Sequence, residues 1–173
     1  MEKIKLVRPS SDFKDSFLEG LIEFQNEGLP WVMDLNVAQI RDNFDSFVKA
    51  ELNKKTHWTQ ETPVDETELW AIADDVYVGR ISIRHKLNAD LRVLGGHIGY
   101  DTRPRYRGRG IASTMLKLAL PMARQLGIAE ALLTCNDNNL PSIRVIEKNG
   151  GVLKETKPQY AGGPLKRYYL ISI

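Results

Sequence analysis

Ile4, Leu6 and Arg8 alternate with Lys5 and Val7 until Pro9 stops the run, and this period of two predicts a short first strand. Phe13, Phe17, Leu21 and Phe24 then recur at helical spacing behind Ser10 and Ser11, either of which can cap a helix, and Gly28 and Pro30 end it. A second helix is expected over 37–52, with Ile40, Phe44, Phe47 and Val48 as its apolar stripe, and the polar, proline-bearing residues 53–67 read as a loop. Leu69, Ala71 and Ala73 begin a strand that Asp74 and Asp75 turn back into 76–84. The apolar parity changes there between Val76 and Val78 on one side of Gly79 and Ile81 and Ile83 on the other, which predicts a bulge at Gly79.

After another loop, 96–102 reads as a strand. Ile111, Met115, Leu118, Met122 and Leu126 then mark a helix face, with Pro121 expected to kink the helix or end its regular part. A short apolar strand is expected over 131–135, then a helix with Pro141 in its first turn and Gly150 and Gly151 closing it, then strands over 152–155 and 167–173. The fold class this order implies is α/β or α+β, one domain over residues 1–173 with a mixed sheet and helices on both faces.

Composition adds little until it is divided along the chain. Apolar residues make up 42% and charged residues 27% of the 173, which excludes a disordered polymer or a disulfide scaffold. Cys135 is alone and points to a reducing compartment. The N-terminal residues lack the apolar core of a signal peptide and no apolar run approaches a membrane span, so the expectation is a cytoplasmic protein without membrane contact. The net charge of +2 is a cancellation. Residues 102–129 hold six cations (Arg103, Arg105, Arg107, Arg109, Lys117 and Arg124) and no acid, while the rest of the chain carries 18 cations against 22 acids.

The basic segment lies at a strand, a glycine-bearing turn and a helix start. Such a junction exposes unpaired N–H groups and the positive end of a helix dipole, a setting that suits a phosphate or pyrophosphate. Gly108 and Gly110 let a ligand approach the backbone closely, and the arginines offer charge-assisted donors. The Gly-Lys-Ser/Thr ending of a Walker loop is missing, and Ser113 stands where a dinucleotide fingerprint needs its third glycine. On charge alone, a solvated basic turn and a nucleic-acid-binding module with Tyr106 among its arginines both remain open.

Arg107-Gly108-Arg109-Gly110-Ile111-Ala112 resembles the R/Q-x-x-G-x-G/A signature of the GNAT superfamily of acetyl-CoA-dependent N-acyltransferases. The likeness extends further. His97-Ile98-Gly99-Tyr100 followed by Arg103-Pro104 is similar to the family's fourth strand, while Asn139 to Ser142 and Glu147-Lys148-Asn149-Gly150 resemble its N-x-x-A/S and E-K-x-G elements. The resemblance implies a mostly antiparallel sheet with a splayed parallel strand pair, and an acetyl-CoA co-substrate with no metal. It implies that the backbone of Arg107, Gly108, Arg109, Gly110, Ile111 and Ala112 wraps the pyrophosphate, so that a bulky residue at Gly110 or Ala112 keeps the coenzyme out. Backbone groups near Tyr100, Asp101 and Thr102 would take the pantetheine amides and thioester carbonyl, with Asn139 and Ser142 beside that arm. Capping of the following helix is the other role open to Asn139 and Ser142.

For proton handling, His97 stands where many relatives carry a glutamate, and it is the candidate base, with His85 second. Many members place a tyrosine just before E-K-x-G to protonate the leaving thiolate; here it is Ile146, which leaves Tyr100 and Tyr160 as substitutes. Cys135, on a buried strand, reads as packing and favours direct transfer over an acyl-enzyme. The implied acceptor is a small-molecule or peptide amine. In this family its site is formed by the N-terminal helices, the loop after them and the final hairpin, here supplying Trp31, Phe44, Trp58, Tyr160, Tyr168 and Tyr169 with Glu61, Asp65, Glu66 and Glu68. Gly162, Gly163 and Pro164 make that hairpin a segment responsive to acceptor or to a homodimer partner. A coenzyme A-binding sensor without catalysis is the alternative that Ile146 keeps open, and nucleic acid is the less favoured partner because the remaining surface is acidic.

Overall fold

The computed structural model describes residues 3–56 and 62–173. β1 (Lys5–Val7) leads through a 3₁₀ turn to α1 (Lys14–Asn26), and the Ser10 hydroxyl accepts the Asp12 N–H at that turn. The helix expected over 37–52 is two, α2 (Val37–Asp42) and α3 (Phe44–Leu52). Asn43 breaks it with a non-helical backbone, and its side-chain amide donates to the Gln39 carbonyl at 3.2 Å.

β2 (Glu66–Ala73) and β3 (Val76–Arg84) follow as a hairpin, and Asp74 and Asp75 both take positive φ, as a two-residue turn of the hairpin type requires. Ala71 pairs with Gly79 but Ile72 pairs with Tyr77, so the bulge expected at Gly79 falls on its neighbour Val78. The loop expected before the next strand contains a short helix, α4 (Ala89–Leu94), whose start is capped by Asn88 accepting the Leu91 N–H. β4 (Ile98–Thr102), α5 (Ile111–Gln125), β5 (Glu130–Asn136), α6 (Leu140–Lys148), β6 (Val152–Pro158) and β7 (Leu165–Ser172) complete the chain.

Pro121 lies inside α5, which continues to Gln125. The buried face of α5 matches the expected one only in part: Ile111 and Met115 are buried and Met122 packs against the core, but Leu116, Ala119 and Ala123 complete the face, while Leu118 and Leu126 are exposed. Alanines let the helix approach the sheet closely, and a face chosen by bulk alone drifts round the helix away from it.

Helices cover both faces of the sheet, and β2 divides its side chains between them. Leu69, Ala71 and Ala73 join the core under α5 and α6, while Trp70 and Ile72 join the core under α1, α2 and α3. In that second core Phe17 stacks on Trp70 at 4.4 Å.

Hydrogen bonding parts the strands into an antiparallel sheet in the order β1-β2-β3-β4 and another in the order β5-β7-β6. β4 and β5, joined in sequence through α5, meet side by side only at a bridge between Gly96 and Leu133. His97 reinforces the joint, its N–H donating to the Leu132 carbonyl at 2.7 Å and its Nδ1 accepting the Leu132 N–H at 2.9 Å. Beyond it the two strands splay.

Gly96 has φ of +66, and a Cβ there would collide with the Leu132 carbonyl. Gly96→Ala is therefore expected to lower stability by about 1–3 kcal/mol, read from urea unfolding of the two proteins.

Candidate active site

The splay opens a cavity of about 940 Å³ that extends from between β4 and β5 to the space beneath α1 and α3. Tyr100, Cys135, Asn139, Ser142 and Ile146 line its first end. The Tyr100 hydroxyl lies 2.8 Å from Ser142 Oγ. Burial holds that phenol above its ordinary range, so Tyr100 keeps its proton at neutral pH. Asn139 caps α6 by accepting the Ser142 N–H at 3.1 Å, and it lines the cavity as well, so both of its expected roles are open to it. Thr134 Oγ1 is buried in this wall without a hydrogen-bond partner. Burial pushes the Cys135 thiol up, which disfavours a thiolate nucleophile.

The other end is built from charges inside the protein. Arg80 on β3 grips Glu68 on β2 with two hydrogen bonds of 2.7 and 2.5 Å, and the Trp31 ring lies over its guanidinium at 4.2 Å. Glu66 accepts from the Thr56 hydroxyl at 2.7 Å and lies 3.9 Å from both Arg80 and Arg84. Burial opposes the charge on Glu66, but Arg84, the Thr56 hydroxyl and Arg80 together hold its carboxyl below the ordinary value. Asp101 projects from β4 opposite Arg80, and burial raises its carboxyl against the pull of Arg80 and Arg107. The Trp31 indole N–H also helps to hold the Asp101 carboxyl down, although it falls outside hydrogen-bonding geometry.

The arginine segment is organised differently from the expectation. Arg103 is fully buried and donates to Glu23 at 2.7 Å, to Glu19 at 3.2 Å and to the Ser16 and Tyr77 carbonyls. Arg105 pairs with Glu23 at 2.6 Å, and Arg107 makes a bidentate pair with Glu27 at 2.7 and 2.6 Å. Glu19, Glu23 and Glu27 recur every fourth residue along one face of α1 and at its C-terminal end, so three of the four loop arginines are spent on α1 rather than held out to a ligand. Arg109 remains exposed, its guanidinium over the Tyr106 ring at 5.4 Å. What the loop does offer is backbone: Gly108 and Gly110 have φ of +76 and +78, and α5 starts at Gly110 with no side-chain cap over its first N–H groups.

Among the expected site residues, Tyr100, Asp101, Asn139 and Ser142 are brought together in the cavity, and Arg107 to Ala112 form the separate loop and first turn of α5. Thr102 sits between the two groups, its carbonyl accepting from Arg107 at 3.1 Å. His97 is at the strand joint and does not line the cavity; His85 is turned to the Thr67 hydroxyl at 2.8 Å. Of the expected acceptor residues, Trp31, Glu66 and Glu68 line the cavity. Phe44 and Tyr169 belong to the cores, Tyr168 donates to the Val93 carbonyl, Asp65 pairs with Lys55 and Tyr160 is exposed on the last hairpin. Trp58 and Glu61 lie outside the described residues. The arginine partners of Glu66 and Glu68, Arg80 and Arg84, were readable as the two charges within 76–84, but only the strand pairing brings them together.

The family model described as the acetyltransferase (GNAT) domain matches residues 5–152. The chain belongs to the GNAT acetyltransferases. Similar solved structures agree on the fold. RimL, a ribosomal alpha-N-protein acetyltransferase in complex with coenzyme A, is 16% identical with a TM-score of 0.70 over 98% of this chain and 94% of its own. The microcin self-immunity acetyltransferase MccE, in complex with acetyl-CoA and AMP, is 14% identical with a TM-score of 0.69 over 100% and 94%. A GNAT-family acetyltransferase from Bacillus anthracis is 19% identical with a TM-score of 0.65 over 99% and 95%. No curated protein sequence matches the chain. Among the described residues, no helix of this GNAT enzyme is long and apolar enough to cross a membrane.

The joint of the GNAT strand pair is sensitive to pH. Burial first, then Arg92 and Arg84, push His97 down from an ordinary value of 6.5 to about 4. An unfolded chain therefore takes up this proton before the folded one, so stability is intact above 6.5 and falls as the pH drops towards 4. Gln in place of His97 keeps a hydrogen-bond acceptor and does not titrate. Thermal melts between pH 7 and 4.5 are expected to show a smaller loss of Tm for His97→Gln than for the natural protein, and parallel losses would contradict this reading.

Proposed function

We propose that this enzyme transfers the acetyl group of acetyl-CoA directly to the primary amine of a small-molecule or peptide acceptor. The observation that carries the reading is one continuous cavity, open between β4 and β5 at one end, where the Tyr100–Ser142 pair lies, and lined by buried carboxylates at the other. The residues present fit coenzyme A. The bare N–H groups at Gly110 and the start of α5 suit its pyrophosphate. The unpartnered Thr134 hydroxyl, with Asn139 and Ser142, offers hydrogen bonds to its pantetheine arm. Acetyl-CoA supplies an activated thioester, and the chain's own groups deal with binding and protons.

Asp101 receives a proton from the acceptor's ammonium, which leaves a neutral amine able to attack the thioester carbon. As the new C–N bond forms and the C–S bond breaks, Tyr100 donates its hydroxyl proton to the departing sulfur. It regains one, through Ser142, from the nitrogen that becomes the amide. Tyr100 thus takes the place of the tyrosine missing at Ile146. Two observations move the base from His97 to Asp101: His97 spends Nδ1 on the strand joint, and only Asp101 lines the cavity. The spending of Arg103, Arg105 and Arg107 on α1 also removes the charge pattern that suggested nucleic acid.

Incubation with acetyl-CoA and a panel of amines is expected to release free thiol in step with acetylated amine. Tyr100→Phe should lower kcat by about 10²-fold with the KM for acetyl-CoA little changed. Coenzyme binding by calorimetry without thiol release from any amine would overturn the reading in favour of a sensor.

A further inference from the structure

Five carboxylates and five cations line the cavity, but Lys166 stands on β7 paired with Asn136 of β5, which leaves five acids against four cations at the acceptor end. Glu68 is taken up by Arg80 in a bidentate pair, and Glu66 lies 3.9 Å from both Arg80 and Arg84. Glu51 is paired with Lys54 at 2.8 Å, and Lys55 turns outward to Asp65 at 3.4 Å. These pairs leave Asp101 and Asp34, neither of which forms an ion pair with any described residue. Among the described residues, the expected acceptor acids that line the cavity, Glu66 and Glu68, are therefore not what a ligand meets, because both are already paired with arginines.

The two unmatched carboxylates differ in depth. Asp101 is half-buried on β4, across the strand pair from Arg80 but beyond ion-pair distance. Asp34 is exposed, three residues after Trp31, at the mouth. The same lining carries the apolar side chains Trp31 and Leu35, from the segment that bears Asp34. Trp31 is fixed in place, with Phe24 beside it at 5.5 Å and the Arg80 guanidinium on its ring, and its buried indole N–H acts on the Asp101 carboxyl without hydrogen-bonding geometry. An inner anion, an apolar stretch and an outer anion are the complement of a molecule with a cation at each end of a hydrocarbon body. A cation beside a partly desolvated carboxylate recovers Coulomb energy that water no longer supplies there. Size points the same way, because a cavity of about 940 Å³ that must also admit the thioester arm leaves room for a small acceptor only.

Resting on the acetyl-transfer reading above, we infer that the acceptor is a small aliphatic amine carrying a second positive charge, its reacting ammonium received by Asp101 and its second cation by Asp34. Asp101 and Asp34 then set specificity at two depths of one channel. A zwitterionic amine would bring its carboxylate against Asp34, and a peptide would bring its bulk to the mouth.

The test uses the full chain loaded with coenzyme A and calorimetric titration with diaminobutane, butylamine, aminobutyrate and a tetrapeptide with a free N-terminus. Diaminobutane is expected to bind about tenfold or more tightly than butylamine, with aminobutyrate weakest. Asp34→Asn should erase the preference for the diamine over the monoamine while leaving coenzyme affinity unchanged. Asp101→Asn should weaken both amines about tenfold or more, with a thermal melt confirming that it folds. Equal or tighter binding of aminobutyrate or the tetrapeptide overturns the inference, as does a diamine preference that survives Asp34→Asn. A parallel thiol assay separates the two claims. Thiol release with aminobutyrate or the tetrapeptide but not the diamine keeps acetyl transfer and sinks the acceptor class. Tight diamine binding without thiol release from any amine does the reverse.

Discussion

The site exists because one hydrogen-bonded joint is allowed to be the last. At Gly96 and His97 the first sheet touches Leu132 and Leu133 of the second, through a bridge and two further bonds. Past this point β4 is bonded only to β3 and β5 only to β7. Backbone N–H and C=O groups left on the facing edges must find partners, and in a cavity those partners come from a ligand or water. The joint also fixes where the opening begins, so that Tyr100 and Asp101, three and four residues after His97, fall on its wall. A glycine is needed at Gly96 because the crossing backbone would strike any side chain there. The imidazole of His97 serves as a clip, and burial keeps it neutral enough to accept a hydrogen bond.

A second constraint ties this opening to the rest of the molecule. The chain leaving β4 carries Arg103, Arg105 and Arg107, and α1 presents Glu19, Glu23 and Glu27 to them. Arg103 is the anchor: with no exposure and five hydrogen bonds, it is the member whose loss would be most destabilising, about 3–5 kcal/mol for breaking such a buried pair. The outer pair, Arg107 with Glu27, is partly exposed and worth far less. Glu27 is followed by the turn at Gly28 that leads to Trp31, so the glycine loop after Arg107 and the aromatic wall of the acceptor end both hang from the Arg107–Glu27 end of the charged seam. The helix that walls one substrate site thereby braces the loop proposed for the other.

Much of this was legible in the sequence wherever the signal is local. The paired aspartates at 74 and 75 announce a tight hairpin because few other residues accept positive φ, and Pro141 announces a helix start because its missing N–H has no use there. The glycine loop and the elements around it declared the family. What stayed hidden depends on distant partners. Asn43 divides a helix that its apolar stripe portrays as continuous, since the stripe records burial and not the backbone break. The alanine face of α5 is invisible to a reading that weights large side chains, although the close approach of helix and sheet is what demands alanine. The arginines looked like free charge because their neutralising acids lie some 80 positions earlier, even though the four-residue spacing of Glu19, Glu23 and Glu27 was itself a clue. Asp101 was named only for its backbone; its side chain gained meaning once the neighbouring acids proved to be paired.

The central claim is that the gap between β4 and β5 receives the arm of coenzyme A and aims it at Tyr100 and Asp101. A crystal structure with coenzyme A bound tests it most directly. The account predicts the pyrophosphate on the amides at Gly110 and the start of α5, the pantetheine between the splayed strands, and the thiol within reach of the Tyr100 hydroxyl. A coenzyme lying elsewhere, or strands that close by hydrogen bonding between residues 99–101 and 134–136, would contradict it.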